Sequence, residues 1–210
     1  MEMKQIEERA RSYFLKQGHH GFDHTLRVKR MALKIARQEN ADLEVVEAAA
    51  LLHDIAREKE DSGKIENHAV EGAEEAGKIL GEAGFPKQKI DAVKHCILVH
   101  RASRGLKPGS TEAAILQDAD RLDVLGATGI ARTFNRAGAM KQELYDAEED
   151  TSEKYSGEEE AAINHLIRKC VNFLKPESFN TKTGREIARE RHEFLKEFVE
   201  RFIAEWNGEK

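Results

Sequence analysis

The stretch AAALLHDIARE, residues 48–58, runs an apolar helical pattern straight into two ionisable neighbours, His53 and Asp54. Two other segments do something similar. DHTLRV sets His24 at the head of the series His24, Val28, Met31 and Ile35, spaced 4, 3 and 4 apart, and QDADRLDVLG sets Asp120 between Leu116 and Val124. Residues at such spacings share one face of a helix. His24 therefore opens a buried stripe, His53 closes another begun by Val46 and Ala50, and Asp120 lies among apolar neighbours, with Asp54 on the face next to His53. A buried carboxylate is costly unless paired, and two close together repel unless a cation lies between them. Two imidazoles and two carboxylates suit a divalent ion such as Mn, Fe(II), Co, Ni or Zn better than Ca, which prefers oxygen throughout. Neighbouring Asp118 competes with Asp120 for the role, and the stripe with Leu116 and Val124 favours Asp120; Asp118 and Asp123 read as supporting acceptors or surface charges.

The ordered set, His24 in DHTLRV, His53 and Asp54 in LLHDIA, and Asp120 in QDADRLDVLG, resembles the HD-domain metal-dependent phosphohydrolases. The likeness covers about residues 20–130, and DADRLD followed by GATGIARTF is similar to a small stand-alone bacterial and archaeal subgroup. The resemblance implies an HD-type helical bundle with His24, His53, Asp54 and Asp120 as metal ligands, the metal being Mn, Fe, Co, Ni, Zn or Mg. It implies hydrolysis of a small phosphorylated substrate, with a nucleotide favoured, at a phosphomonoester or pyrophosphate bond. Asp54 or Asp120 would accept the proton of the attacking water. His68 and His100 would contact the phosphate or move protons, or, in two-metal relatives, help to hold a second ion. Two alternatives stay open: a two-iron oxygenase, which needs both His68 and His100 as ligands, and a non-catalytic nucleotide-binding sensor.

Other residues can be sorted by pattern. His100 continues the stripe Ile90, Val93, Ile97 and points inward, whereas His95 lies on another face and reads as a structural or surface histidine. Arg27, one turn beyond His24, together with Arg57, Lys59 and Arg132, could form a local basic pocket for phosphate. Arg101, Arg121 and Arg136 read as surface ion pairs, and Glu58 and Glu71 as candidate acids or bases. His19 and His20 occupy a solvent-facing turn.

These side chains need rigid elements to hold them, and the composition supplies helices. Of 210 residues 35% are charged, only 6% aromatic, and Pro occurs 3 times, which predicts an all-α fold. The expected organisation is one all-α domain over 1–210: a metal-binding core at 20–130 and a C-terminal helical extension at 131–210 that includes an acidic mobile segment at 145–160. Helices are predicted at about 3–17, 24–39 (capped by Asp23 and closed by Asn40), from Asp42 to near Ile55, 68–83, 87–101, and from Ser110 or Thr111 through AAILQDADRLDVLG. Two more are predicted at about 158–174 and 183–206, the last with the stripe Ile187, Phe194, Phe198, Phe202, while REKEDSGKIEN reads as a polar loop or short irregular segment. The net charge of -5 excludes a broad basic field for nucleic-acid polymers or anionic membranes. A charged N-terminus and no long apolar window predict a cytoplasmic protein, monomeric or homodimeric, with Cys96 and Cys170 as free buried thiols.

Overall fold

A computed structural model describes residues 3–14, 21–101, 104–152 and 161–210; His19, His20 and residues 153–160 of the acidic segment lie outside the described residues. Every regular element among the described residues is helical. No helix among the described residues is long and apolar enough to cross a membrane. The chain divides into two compact units, Met1–Asp120 and Arg121–Lys210.

The first unit holds α1 (Met3–Arg11), α2 (Phe22–Gln38), α3 (Leu43–Leu52), α4 (Arg57–Asp61), α5 (His68–Glu82), α6 (Lys87–Val99) and most of α7 (Thr111–Leu122). Its centre is α3. From Val45 to Leu52 every residue but Glu47 is buried, the pattern of a helix surrounded on all sides. Accordingly α1, α2, α5 and α6 all pack against it, and α5 packs on α6. Leu51 and Leu52 are fully buried, each stabilising the fold by about 2 kcal/mol relative to exposure. The start of α3 is fixed by Asp42, whose carboxylate accepts the backbone N–H groups of Glu44 and Val45. Asn40, at φ 54°, makes the left-handed turn between α2 and α3, a conformation that asparagine tolerates better than most residues.

Several boundaries differ from the sequence reading. Asp23 is not a cap: α2 begins at Phe22 after an extended Gly21, and Asp23 lies exposed in the first turn, where its charge complements the helix dipole. REKEDSGKIEN is not loop throughout, since Arg57–Asp61 forms the short helix α4, braced by an Arg57–Asp61 pair at 3.0 Å. The helix expected to run through AAILQDADRLDVLG stops at Leu122, and Gly126, at φ 69°, opens a new one.

That new helix, α8 (Gly126–Ala139), belongs to the second unit with α9 (Ala162–His165), a π-helical stretch (Leu166–Phe173), a 3-10 turn (Pro176–Ser178) and α10 (Lys182–Trp206). The predicted helix over 158–174 is thus α-helical for only one turn before its hydrogen bonds lengthen, as in Leu174 N–H to the Lys169 carbonyl. Residues 144–152 are tied to this stretch: Asn164 exchanges two hydrogen bonds with Asp146, and Arg168 binds Glu149. The stripe of α10 is also corrected. Its buried residues are Gly184, Ala188, Leu195 and Val199, while Phe194 is 48% exposed. Phe198 and Phe202 instead join an aromatic group with Phe134, Tyr145 and Trp206. Small residues allow α10 a close approach and the aromatics cover its flank. Cys96 and Cys170 are buried free thiols, pushed up by burial to about 12 and about 11.

The Asp42 cap gives a direct test. Asp42→Ala should cost about 1 kcal/mol, read as a lower urea midpoint at unchanged m-value.

Candidate functional site

The chemistry of the first unit gathers at helix ends. His24 lies in the first turn of α2, His53 caps the C-terminus of α3, and Asp54 follows in the turn. His68 is the first residue of α5, His100 caps the C-terminus of α6, and Asp120 lies in the last turn of α7. The rings form a continuous series, with centroids 5.5 Å apart for His24–His53, 5.3 Å for His53–His100 and 5.2 Å for His68–His100. Helix ends suit this task because a backbone carbonyl left over by the helix can anchor an imidazole.

Three of the four rings are anchored in the same sense. His53 Nδ1 lies 2.8 Å from the Ala50 carbonyl and His100 Nδ1 lies 2.7 Å from the Ile97 carbonyl. A carbonyl only accepts, so each Nδ1 carries a proton, and in the neutral ring each Nε2 presents a lone pair. His68 Nδ1 lies 2.7 Å from Glu60 Oε2. Burial would raise Glu60, but hydrogen bonds from the His68 backbone and ring, together with the charges of His68 and Arg101, bring it down to about 2. As a carboxylate it also only accepts, and His68 Nδ1 donates.

The lone pairs converge on two groups of three ligand atoms, each group within 4.8 Å: His24, His53 and Asp120, and Asp54, His68 and His100. Asp54 faces both. Its Oδ2 is 3.9 Å from His24 Nε2 and 3.6 Å from His53 Nε2, while its Oδ1 is 3.1 Å from His68 Nε2 and 3.6 Å from His100 Nε2. His24 Nε2 is 3.3 Å from Asp120 Oδ1, and the Nε2 atoms of His68 and His100 are 3.3 Å apart. The side chains of His24, His53 and Asp54 are at most 5% exposed, whereas that of Asp120 is 30% exposed and opens the group to solvent. Asp120 is therefore less enclosed than its apolar neighbours suggested; fully buried Asp118 lies outside both groups.

The electrostatics follow. Burial works against the charge on Asp54 and on Asp120, but the histidines around them outweigh it and hold both carboxyls well below the usual range. Burial pushes His53 down, against the pull of Asp54. His100 is opposed by burial, yet the Asp54 carboxylate raises it. The donors fit a divalent metal on one further observation: His53 Nε2 is buried with no hydrogen-bond partner, a lone pair that costs free energy unless something electropositive meets it.

The basic residues are dispersed. Arg27 is half-buried on α2. On α4, Arg57 pairs with Asp61 and Lys59 with Glu71 at 3.5 Å. In the second unit Arg132 binds the Asp123 carboxylate at 2.5 Å. Glu60 and its partner Arg101 were missed by sequence reasoning. Among Glu58, Glu60 and Asp61 no periodicity marks the carboxylate that turns inward, and Arg101 read as a surface ion pair, whereas it is only 23% exposed and meets Glu60 at 3.0 Å.

The HD domain family model matches residues 21–125. The uncharacterized protein YpgQ of Bacillus subtilis is 36% identical over 184 residues, covering 86% of this chain and 81% of its own. The structure of YpgQ in complex with ADP superposes with a TM-score of 0.74 at 32% identity, covering 96% of each chain. A predicted HD superfamily hydrolase from an uncultured Thermotogales bacterium gives a TM-score of 0.71 at 34% identity, covering 97% of this chain and 92% of that one. Ribonuclease Y of Thermoanaerobacter pseudethanolicus is 29% identical over 162 residues, 76% of this chain but 28% of its own length. With the matching model and a relative so similar over most of its length, this all-α chain belongs to the HD domain family.

Proposed function

We propose that the protein is a metal-dependent phosphohydrolase acting on a small phosphorylated substrate, a nucleotide, at a phosphomonoester or pyrophosphate bond. One observation carries the reading: buried imidazoles are anchored through Nδ1 so that their Nε2 lone pairs face carboxylates, an arrangement stable only around positive charge. Membership of a family that includes HD superfamily hydrolases supports hydrolysis. The ADP complex of YpgQ supports a nucleotide.

His24, His53, Asp54 and Asp120 would hold the metal, which when bound would supply Lewis acidity to a phosphate oxygen and lower the pKa of a water. Asp54 would accept the proton of the attacking water and could hand it on, its Oδ1 lying 3.1 Å from His68 Nε2 and 3.6 Å from His100 Nε2. The facing Nε2 atoms of His68 and His100, 3.3 Å apart, would take that proton from Asp54 and deliver it to the leaving oxygen. Asp120 marks the solvent side by which substrate arrives. Arg57 and Lys59 exchange their ion pairs to the exposed Asp61 and Glu71 carboxylates for phosphate oxygens, and Arg27 assists from α2. Arg132, committed to a carboxylate only 5% exposed, is the least available of the four.

A second reading rests on the grouping of Asp54, His68 and His100: a second metal there, which for two irons would mean oxygen chemistry. The panel below separates the two.

Phosphate and pyrophosphate release from nucleoside mono-, di- and triphosphates, fragment formation from a short RNA, and bound iron should be measured for wild type and Asp54→Ala. Hydrolysis of a nucleotide by wild type, and a loss of at least ~100-fold in the variant, is expected. Cleavage of RNA alone, or two bound irons without any hydrolysis, overturns the proposal.

Metal binding is tested separately by thermal unfolding. Mn2+ at one hundred times its Kd should stabilise wild type by about 2.7 kcal/mol and His53→Ala by far less. Equal stabilisation of both would remove His53 from the ligand set.

A further inference from the structure

Glu60 is the point at which three elements of the first unit are pinned together. It lies on the five-residue helix α4, whose Lys59 and Asp61 face solvent, yet its own side chain is only 20% exposed. Its Oε2 accepts the His68 backbone N–H at 2.6 Å and the His68 ring Nδ1–H at 2.7 Å. Arg101, directly after His100 at the end of α6, donates from Nη1 to Oε1 at 3.0 Å and to Oε2 at 3.4 Å. One carboxylate thus grips the start of α5 and is itself gripped by the residue following His100.

This geometry removes a freedom that histidine ordinarily has. A neutral imidazole exchanges its proton between two nitrogens and can turn its ring over. His68 Nε2 meets the Asp54 carboxylate at 3.1 Å, but Nδ1 meets the guanidinium-fixed Glu60 carboxylate at 2.7 Å, so of the two neutral forms it is the Nε2–H form that sets a lone pair against the nearer negative charge. Holding the start of α5 does not account for the contact by itself, because Asn67 also caps that helix, through the Ala69 N–H at 3.1 Å.

Resting on the phosphohydrolase reading of the centre, we propose that Glu60 is a positioning residue: it locks His68 as the Nδ1–H tautomer with Nε2 turned on Asp54 and His100, and Arg101 holds Glu60 in place. Glu60 touches neither substrate nor the reacting atoms; it acts through His68. Partners that orient a functional imidazole in this way are worth roughly 10–100-fold in activity or metal affinity.

The test uses the full chain at an alkaline pH at which the spectra themselves show the imidazoles neutral. Long-range 1H–15N spectra of the imidazoles are read beside kcat and KM on the best nucleotide, for wild type, Glu60→Ala and Glu60→Gln. Wild-type His68 should be protonated at Nδ1. Glu60→Ala should shift the proton toward Nε2 and lower kcat roughly 10–100-fold, with KM little changed. Glu60→Gln, whose amide oxygen still accepts from Nδ1, should recover the tautomer and part of the rate. A merely structural role would lower the melting temperature of Glu60→Ala and leave tautomer and kcat unchanged, which overturns the proposal. A wild-type His68 protonated at Nε2 overturns it even if Glu60→Ala fails to fold. The spectra need no substrate, so they decide on Glu60 even where the nucleotide panel fails the phosphohydrolase reading.

Discussion

Everything in the first unit answers to one electrostatic constraint: several hydrogen-bond acceptors are packed within a few ångströms of each other, away from water. Anchoring Nδ1 of His53, His68 and His100 leaves Nε2 lone pairs facing the Asp54 carboxylate and one another. Such a cluster is unstable empty of positive charge, because none of its members can turn away to find solvent. A metal ion, or protons shared among the rings, relieves it. The protein invests folding stability in holding repelling groups together, which is how binding sites are prepared in advance of their ligands.

The fold serves that constraint by enclosing α3. A helix buried on nearly every face between Val45 and Leu52 has few ways to shift, so its C-terminal end fixes His53 and Asp54 with the rigidity of the core. Around it, α2, α5 and α6 each contribute a terminus. Asp54 then couples the two ligand groups, since one carboxylate presents Oδ2 to His24 and His53 and Oδ1 to His68 and His100.

How much of this is legible in the sequence depends on whether a residue interrupts a pattern. His24, His53 and His100 each continue an apolar stripe, and all three are buried. The helical class and most helix starts follow from caps and charge, as at Asp42 and Ser110. The break at Gly126 is hidden because apolar residues run on through LDVLG, and the π-helical stretch is hidden because apolar periodicity barely distinguishes it from an α-helix. Glu60 is illegible for a different reason. It lies in a run of charges where any carboxylate could face inward, and only the path of α4 in three dimensions selects it. The same blindness hides the partners of Arg57 and Lys59, the pocket candidates on α4, which Asp61 and Glu71 already engage.

The placement of the imidazoles at helix ends also gives the centre a direction. His53 and His100 cap C-termini, where the summed peptide dipoles leave partial negative charge. His24 and His68 lie in first turns, where the same dipoles leave partial positive charge. A field therefore runs across the cluster before any ligand is present, drawing a cation toward the ends of α3 and α6 and an anion toward the starts of α2 and α5. Each dipole is worth only about 0.3–1 kcal/mol at an exposed helix end and more where water is excluded. Four of them, arranged with opposite sense around one carboxylate, make the backbone itself part of the polarity of the site, and no side-chain substitution that leaves the helices intact can erase it.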